Sequence, residues 1–133
     1  MFAPYREAVR TRAPLIHNIT NYVTANDCAN LLLACGASPI MADDPAEVSE
    51  VQAVCAGLHL NLGTLHTGTV PALLAAGRTA NTLGHPVVLD PVGVGVSALR
   101  GRTARQLLEE LRITVIRGNL SEIKTLARGS GTA

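Results

Sequence analysis

Tryptophan is missing from this 133-residue sequence, and aromatic residues make up only 2% of it. Base-stacking platforms are built from aromatic rings, so a surface for unpaired nucleic acid is not expected. Neither sign of charge dominates, since the formal net charge is +1, and no field draws the chain toward a polyanion or an acidic bilayer. No long hydrophobic run is present either. The strongest, Asn30–Ala37 (NLLLACGA), is far too short to span a membrane. The first residues, MFAPYREAVRTRAP, carry charges where a secretory leader needs an apolar stretch. Cysteine is scarce, with only Cys28, Cys35 and Cys55, and an odd number without framework spacing points to a reducing compartment. None of the four histidines, His17, His59, His66 and His85, forms a close ligand pair, so no zinc site is expected. The expectation is a soluble cytoplasmic protein with neither nucleic acid nor membrane as partner.

Aliphatic residues are plentiful, and hydrophobic residues reach 47% of the chain, enough for a core of Leu, Val, Ile and Ala. Their period switches repeatedly. Short apolar runs bounded by turn residues read as strands: PLIHNI, ASPIMA, LHLNLG, PVVLDP and ITVIRG. Helical spacing lies between them. Val48, Val51 and Cys55 share one face, as do Val70, Leu73, Leu74, Gly77 and Ala80, and then Ala104, Leu107, Leu108 and Leu111. Helix starts are predicted near Thr20, at Asp44-Pro45-Ala46-Glu47, and at Thr103-Ala104-Arg105-Gln106. Gly36 and Gly84 supply stops. Cys28 and Cys35 are seven apart on one helix and read as small core residues. Residues 1–13 read as a leading helix or arm, and RGSGTA at the end as coil. The alternation predicts one α/β domain over residues 1–133, with a mostly parallel sheet and helices on both faces.

Ligands of parallel α/β sheets bind beyond the carboxyl ends of the strands. Those ends carry His17, Asn18, Thr20 and Asn21; Met41, Asp43 and Asp44; Asn61, Gly63 and Thr64; Asp90, Gly93 and Gly95; and Arg117, Asn119 and Glu122. Asp90, Arg117, Asn119 and Glu122 converge if their strands are neighbours. Two acids and a guanidinium suit phosphoryl transfer, the acids holding Mg²⁺ and the cation facing phosphates. Structural readings stand beside this one. Asp90-Pro91 is a good turn opener, and Asn119-Leu120-Ser121-Glu122 has the spacing of a capping box. Gly93-Val94-Gly95-Val96-Ser97-Ala98 also matches G-x-G-x-x-A, which would make Arg117 the reader of a 2′-phosphate in an NADP-binding domain.

The ordered blocks PLIHNITNYV, CGASPIMADDPAEV, LNLGTL, VVLDPVGVG and VIRGNLSEI resemble the hydroxyethylthiazole kinases from about Pro14 to Ala127. The resemblance implies a ribokinase-like α/β fold and phosphorylation of the hydroxyl of 4-methyl-5-(2-hydroxyethyl)thiazole by ATP and Mg²⁺ in thiamine biosynthesis or salvage. It implies roles as well. Met41, Asn21 and Val23 would line the thiazole pocket, with Gly63 and Thr64 at its floor. Arg117 and Asn119 would meet ATP phosphate, and Asp90 and Glu122 would stand near Mg²⁺. Trimers with sites between subunits are implied, so Asn21 and Met41 would serve a neighbour's site. Members of the family run about twice this length. Their second half holds a glycine-rich anion hole, much of the nucleotide pocket, and a cysteine where related sugar kinases place an aspartate base. No residue here takes that part, so no catalytic base is named. The alternative function is a catalytically incomplete thiazole-binding or assembly module.

Overall fold

The computed structural model describes residues 1–129. Along the chain run α1 (Ala3–Arg12), β1 (Leu15–Ile19), α2 (Ala25–Cys35), β2 (Ser38–Met41), α3 (Val48–Val54), β3 (Gly57–Asn61), α4 (Val70–Leu83), β4 (Val87–Asp90), α5 (Ala98–Glu110), β5 (Val115–Ile116) and α6 (Leu120–Arg128). The strands form one sheet in the order β2-β1-β3-β4-β5, and every pairing is parallel. The predicted α/β architecture and leading helix are borne out. Residues 130–133 of the expected C-terminal coil lie outside the described residues. Among the described residues no helix is long and apolar enough to cross a membrane.

Register divides the strand residues between the two faces. His17 pairs with Leu58 and Leu58 with Val87, while Asn18 pairs with His59 and His59 with Val88. In-register residues of parallel strands share a face, and successive residues alternate. One face therefore holds His17, Ile19, Leu58, Leu60, Val87 and Leu89, all buried. It packs against α4 through Ala72, Leu73, Ala76 and Ala80, and α5 adds Ala104 and Leu107. Each fully buried Leu, Ile or Val contributes about 1.5–3 kcal/mol, so this layer is the fold's main source of stability. The other face holds Ile16, Asn18, His59 and Val88. With Cys28 and Leu31 of α2 they line an open apolar cavity of about 340 Å³. Val115 and Ile116 on the edge strand β5 are also exposed.

Three helix starts differ from the sequence expectation. The helix expected from Thr20 begins at Ala25, because the Asn21 side chain accepts from the N–H groups of Val23 and Thr24 and holds a turn there. Asp44 accepts from the Ala46 N–H as expected of a cap, yet residues 45–47 form a turn and α3 starts at Val48. α5 starts at Ala98 rather than near Thr103, capped by Ser97, whose hydroxyl accepts from the Arg100 N–H. The spacing of Thr103 and Gln106 had mimicked a cap inside a helix. Cys28 and Cys35 are not core residues, since α2 contains no buried residue, whereas Cys55 is buried. Finally, β5 has only two residues and lies at one edge of this sheet.

Candidate functional site

Three loops are tied together at the carboxyl ends of β1, β2 and β3. Asn21 Nδ2 donates to Asn61 Oδ1 at 3.1 Å, and the same oxygen accepts from the Gly63 N–H at 2.8 Å. Asn21 Oδ1 takes the Val23 and Thr24 N–H groups at 3.1 and 3.0 Å. Tyr22 links the other two loops. Its N–H donates to Thr64 Oγ1 at 3.2 Å, and its phenol donates to Asp43 at 3.0 Å. That bond raises the Tyr22 phenol above its ordinary value and tethers the segment after Met41. The crossover reverses direction between β1 and β3, which is where a doubly wound sheet opens a crevice for ligands.

The floor of this crevice is crowded by design. A Cβ on Gly63 would lie 2.8 Å from Asn21 Cβ and 3.0 Å from Asn61 Oδ1, so only glycine fits there. Thr64 follows with φ of +48°, a strained conformation for a β-branched residue and a hallmark of functional loops. Nearby, Thr20 Oγ1 is buried with no hydrogen-bond partner among the described residues, and Thr20 lines a crevice with Tyr22, Asp43, Asn61 and Gly63. An unpaired buried hydroxyl is costly unless something outside the chain bonds it. Val23 is 81% exposed and Met41 39% exposed, which leaves both free to touch a ligand or another subunit.

A second cluster stands at the ends of β4 and β5. Arg117 Nη1 donates to Asp90 Oδ2 at 2.6 Å, with Asp90 nearly buried and the Arg117 side chain 77% exposed. The pair confirms that these strand tips adjoin. Asp90 holds the guanidinium by one nitrogen, and among the described residues its other donors have no partner; this hydrogen bond raises Arg117 above its ordinary value. Burial holds His59 below the usual histidine range, with Asp90 pulling it up and Arg117 pushing it down. Its Nδ1 is 3.3 Å from Asn18 Oδ1, so the histidine is satisfied within its sheet face.

Glu122 joins α6 to the loop after β4. Its Oε2 accepts from the Asn119 N–H at 2.8 Å, and Asn119 Oδ1 accepts from the Glu122 N–H at 3.0 Å. This is a complete capping box. The other oxygen, Oε1, accepts from the Gly93 N–H at 2.9 Å. Gly93 has φ of +62°, and a Cβ on Gly95 would meet Thr125 Oγ1 at 3.2 Å. Gly93 is explained by its positive φ and its closeness to Arg100, and Gly95 by its closeness to Thr125 of α6; the Gly93 N–H is already taken by Glu122, so the dinucleotide reading loses its motif.

Asp90 and Glu122 are the carboxylates of this cluster, and among the described residues no group of three His, Cys, Asp or Glu side chains could hold a metal ion. Mg²⁺ needs only one or two carboxylates when phosphates and waters complete its shell, a number these two could supply, although both Glu122 oxygens already accept backbone N–H groups.

Across the sheet β2 and β5 are the opposite edges, and four strand spacings place their tips about 19 Å apart, while Asn61 and Asp90 are registered neighbours where the two clusters meet. Asn21, Val23, Met41, Gly63 and Thr64 belong to one cluster, and Asp90, Arg117, Asn119 and Glu122 to the other. Two features went unnoticed in the sequence. Tyr22 gave no local signal. Gln52 did, as a polar residue on the apolar face of a short helix, where it is fully buried.

The family profile described as Hydroxyethylthiazole kinase family matches residues 7–133. A hydroxyethylthiazole kinase of Clostridium acetobutylicum is 66% identical over 125 residues, covering 94% of this chain and 46% of that protein. One from Desulfovibrio desulfuricans is 56% identical over 127 residues, covering 96% and 45%. The solved structure of a hydroxyethylthiazole kinase protein from Pyrococcus horikoshii OT3 superposes with a TM-score of 0.87 at 42% identity, covering 92% of this chain and 48% of that one. Chemotaxis protein CheY4 of Vibrio cholerae shares the fold alone, with a TM-score of 0.52 at 12% identity, covering 87% and 98%. The chain spans about half the length of the curated relatives it matches.

Proposed function

The chain belongs to the hydroxyethylthiazole kinase family, and on that premise we propose that the protein carrying it phosphorylates the hydroxyl of 4-methyl-5-(2-hydroxyethyl)thiazole with MgATP in thiamine biosynthesis or salvage. In this reading the chain is the N-terminal part of a ribokinase-like domain. The observation that carries the reading is the Asp90–Arg117 pair, a guanidinium held at a strand tip with its remaining donors unpartnered among the described residues. Such a fork matches phosphate oxygens. Asn119 stands beside it at the start of α6, where the positive end of the helix dipole favours an anion.

Asp90 and Glu122 would hold Mg²⁺, directly or through water. The bound ion would neutralise charge on the phosphates. The chain's own share is positioning and electrostatics: Arg117 offsets charge on the transferring group. The crevice between β1 and β3 would take the acceptor alcohol, with Met41 and Val23 against its apolar ring and the polar floor of Gly63 and Thr64 beneath it. No base is assigned, since no residue of this chain matches the family's cysteine.

In this reading the protein is a trimer with sites between subunits, and the exposure of Met41 and Val23 leaves both free to meet a neighbouring copy. Cytoplasmic placement rests on three free cysteines.

Calorimetric titration with the thiazole alcohol, followed by a phosphate-transfer assay, tests the reading. Binding with transfer supports it. Binding without transfer favours the assembly-module alternative, and the absence of both overturns the two together.

A further inference from the structure

Under the acceptor crevice runs a buried chain of side chains that the proposed chemistry does not use. His17 and Gln52 are both fully buried. His17 Nε2 lies 2.9 Å from the Ala42 carbonyl oxygen, and its Nδ1 lies 3.1 Å from Gln52 Oε1. Gln52 Nε2 is 3.0 Å from His85 Nδ1. The Ala42 carbonyl can only accept, so Nε2 carries a proton. No carboxylate is among the ring's partners, and a buried imidazolium without a counter-charge is costly. With Nε2 donating to Ala42, a bare Nδ1 requires the Gln52 amide turned over from its placed orientation, its NH₂ toward His17 and its oxygen toward the Nδ1–H of His85. Amide ends and ring protons are assigned from such networks rather than seen.

Ala42 is where this matters. The last registered pair of the edge strand is Asn18 with Met41, so the chain leaves the sheet there. The next carbonyl belongs to His17, and the residue after that, Asp43, takes the Tyr22 phenol. The lip from Met41 to Asp44 is thus held at two points, one of them from beneath the sheet.

We propose that His17, oriented by Gln52, is a positioning residue that fixes the Met41–Asp44 lip and so sets how tightly the acceptor alcohol is held. The proposal deepens the functional reading above and rests on it for the identity of the ligand. A histidine that only fills core volume would affect stability alone.

Two near-isosteres separate these roles. His17→Gln keeps an N–H donor near the Nε2 position, whereas His17→Asn keeps a polar group near Nδ1 and abandons Ala42. Ring ¹⁵N spectra of the wild-type chain report the tautomer, with Nε2 protonated and Nδ1 bare. The Ala42 carbonyl ¹³C shift and the Asp43 amide shift report the lip without any ligand. The expected result is that both shifts move in His17→Asn and stay near wild type in His17→Gln. Affinity for 4-methyl-5-(2-hydroxyethyl)thiazole should fall about tenfold in His17→Asn, the size of one lost positioning contact, and recover to within about threefold in His17→Gln. Melting temperatures of the two variants should be alike. Unmoved Ala42 and Asp43 shifts in a folded His17→Asn, or equal affinities in both variants, overturn the proposal. If the wild-type chain does not bind the thiazole, the functional reading fails, and the ligand-free shifts still decide whether His17 sets the lip.

Discussion

Replacing Gly63 by alanine adds one methyl group where the fold has no room for it. Its Cβ would sit 2.8 Å from Asn21 Cβ, 3.0 Å from Asn61 Oδ1 and 3.1 Å from Asn21 Cγ. Neither neighbour can swing away freely. Asn61 Oδ1 holds Asn21 Nδ2 and the Gly63 N–H, while Asn21 Oδ1 holds the turn before α2. Relief must come from shifting a loop or breaking one of these bonds. Overpacking of this kind costs about 1–3 kcal/mol, which for a chain of this size lowers the melting temperature by about 4–15 °C. Gly57→Ala is the control, because its Cβ would meet Ile16 Cδ1 only at 3.6 Å, an ordinary contact. Thermal or urea unfolding of the two variants measures the difference. If Gly63→Ala unfolds within about 0.5 kcal/mol of wild type, or Gly57→Ala is the worse of the two, the close approach of the β1 and β3 loops is wrong.

Asn21→Ala removes the acceptor of the α2 turn and the link to Asn61, and should cost about 1–2 kcal/mol in urea unfolding, the size of a lost helix cap. Glu122→Ala frees the Gly93 N–H and breaks the capping box of α6. Amide hydrogen exchange should then speed up at Gly93 and through the first turn of α6, with β1 unaffected. His59 gives a pH signature. Its folded value is lowered from 6.5 by burial, so as pH falls below about 6.5 the unfolded chain takes up a proton that the folded chain refuses. Stability contributed above that pH is lost on acidification. Melting curves between about pH 7.5 and 5 should show a loss in wild type that is smaller in His59→Gln.

How much of this was legible in the sequence depends on the range of the signal. The strands were readable because both faces of a parallel sheet are apolar, so Val87, Val88 and Leu89 form an unbroken run. The Asn119–Glu122 box was readable because its partners lie within one turn. The start of α2 was not, since Asn21 looks like any cap and only its pairing with Asn61, forty residues away, shows which way it turns. Asp90 and Arg117 were named from their strand ends, and their contact across 27 residues followed once β4 and β5 were neighbours. Which strand ends share a site was not legible for a topological reason. Strand order decides which tips adjoin, and a list of polar strand ends does not contain it. Gln52 was lost because a helical-face count looks for apolar residues and passes over the polar one that the core accommodates.

The most direct test of the account is transfer of labelled γ-phosphate from MgATP to 4-methyl-5-(2-hydroxyethyl)thiazole by the protein that carries this chain, compared with its Arg117→Ala variant. The account predicts transfer by the wild type and a loss of about 30-fold or more in kcat/KM for the variant, equivalent to about 2 kcal/mol of charged contact. A wild-type protein that transfers nothing, or a variant within about twofold of it, would contradict the role given to Arg117 and Asp90.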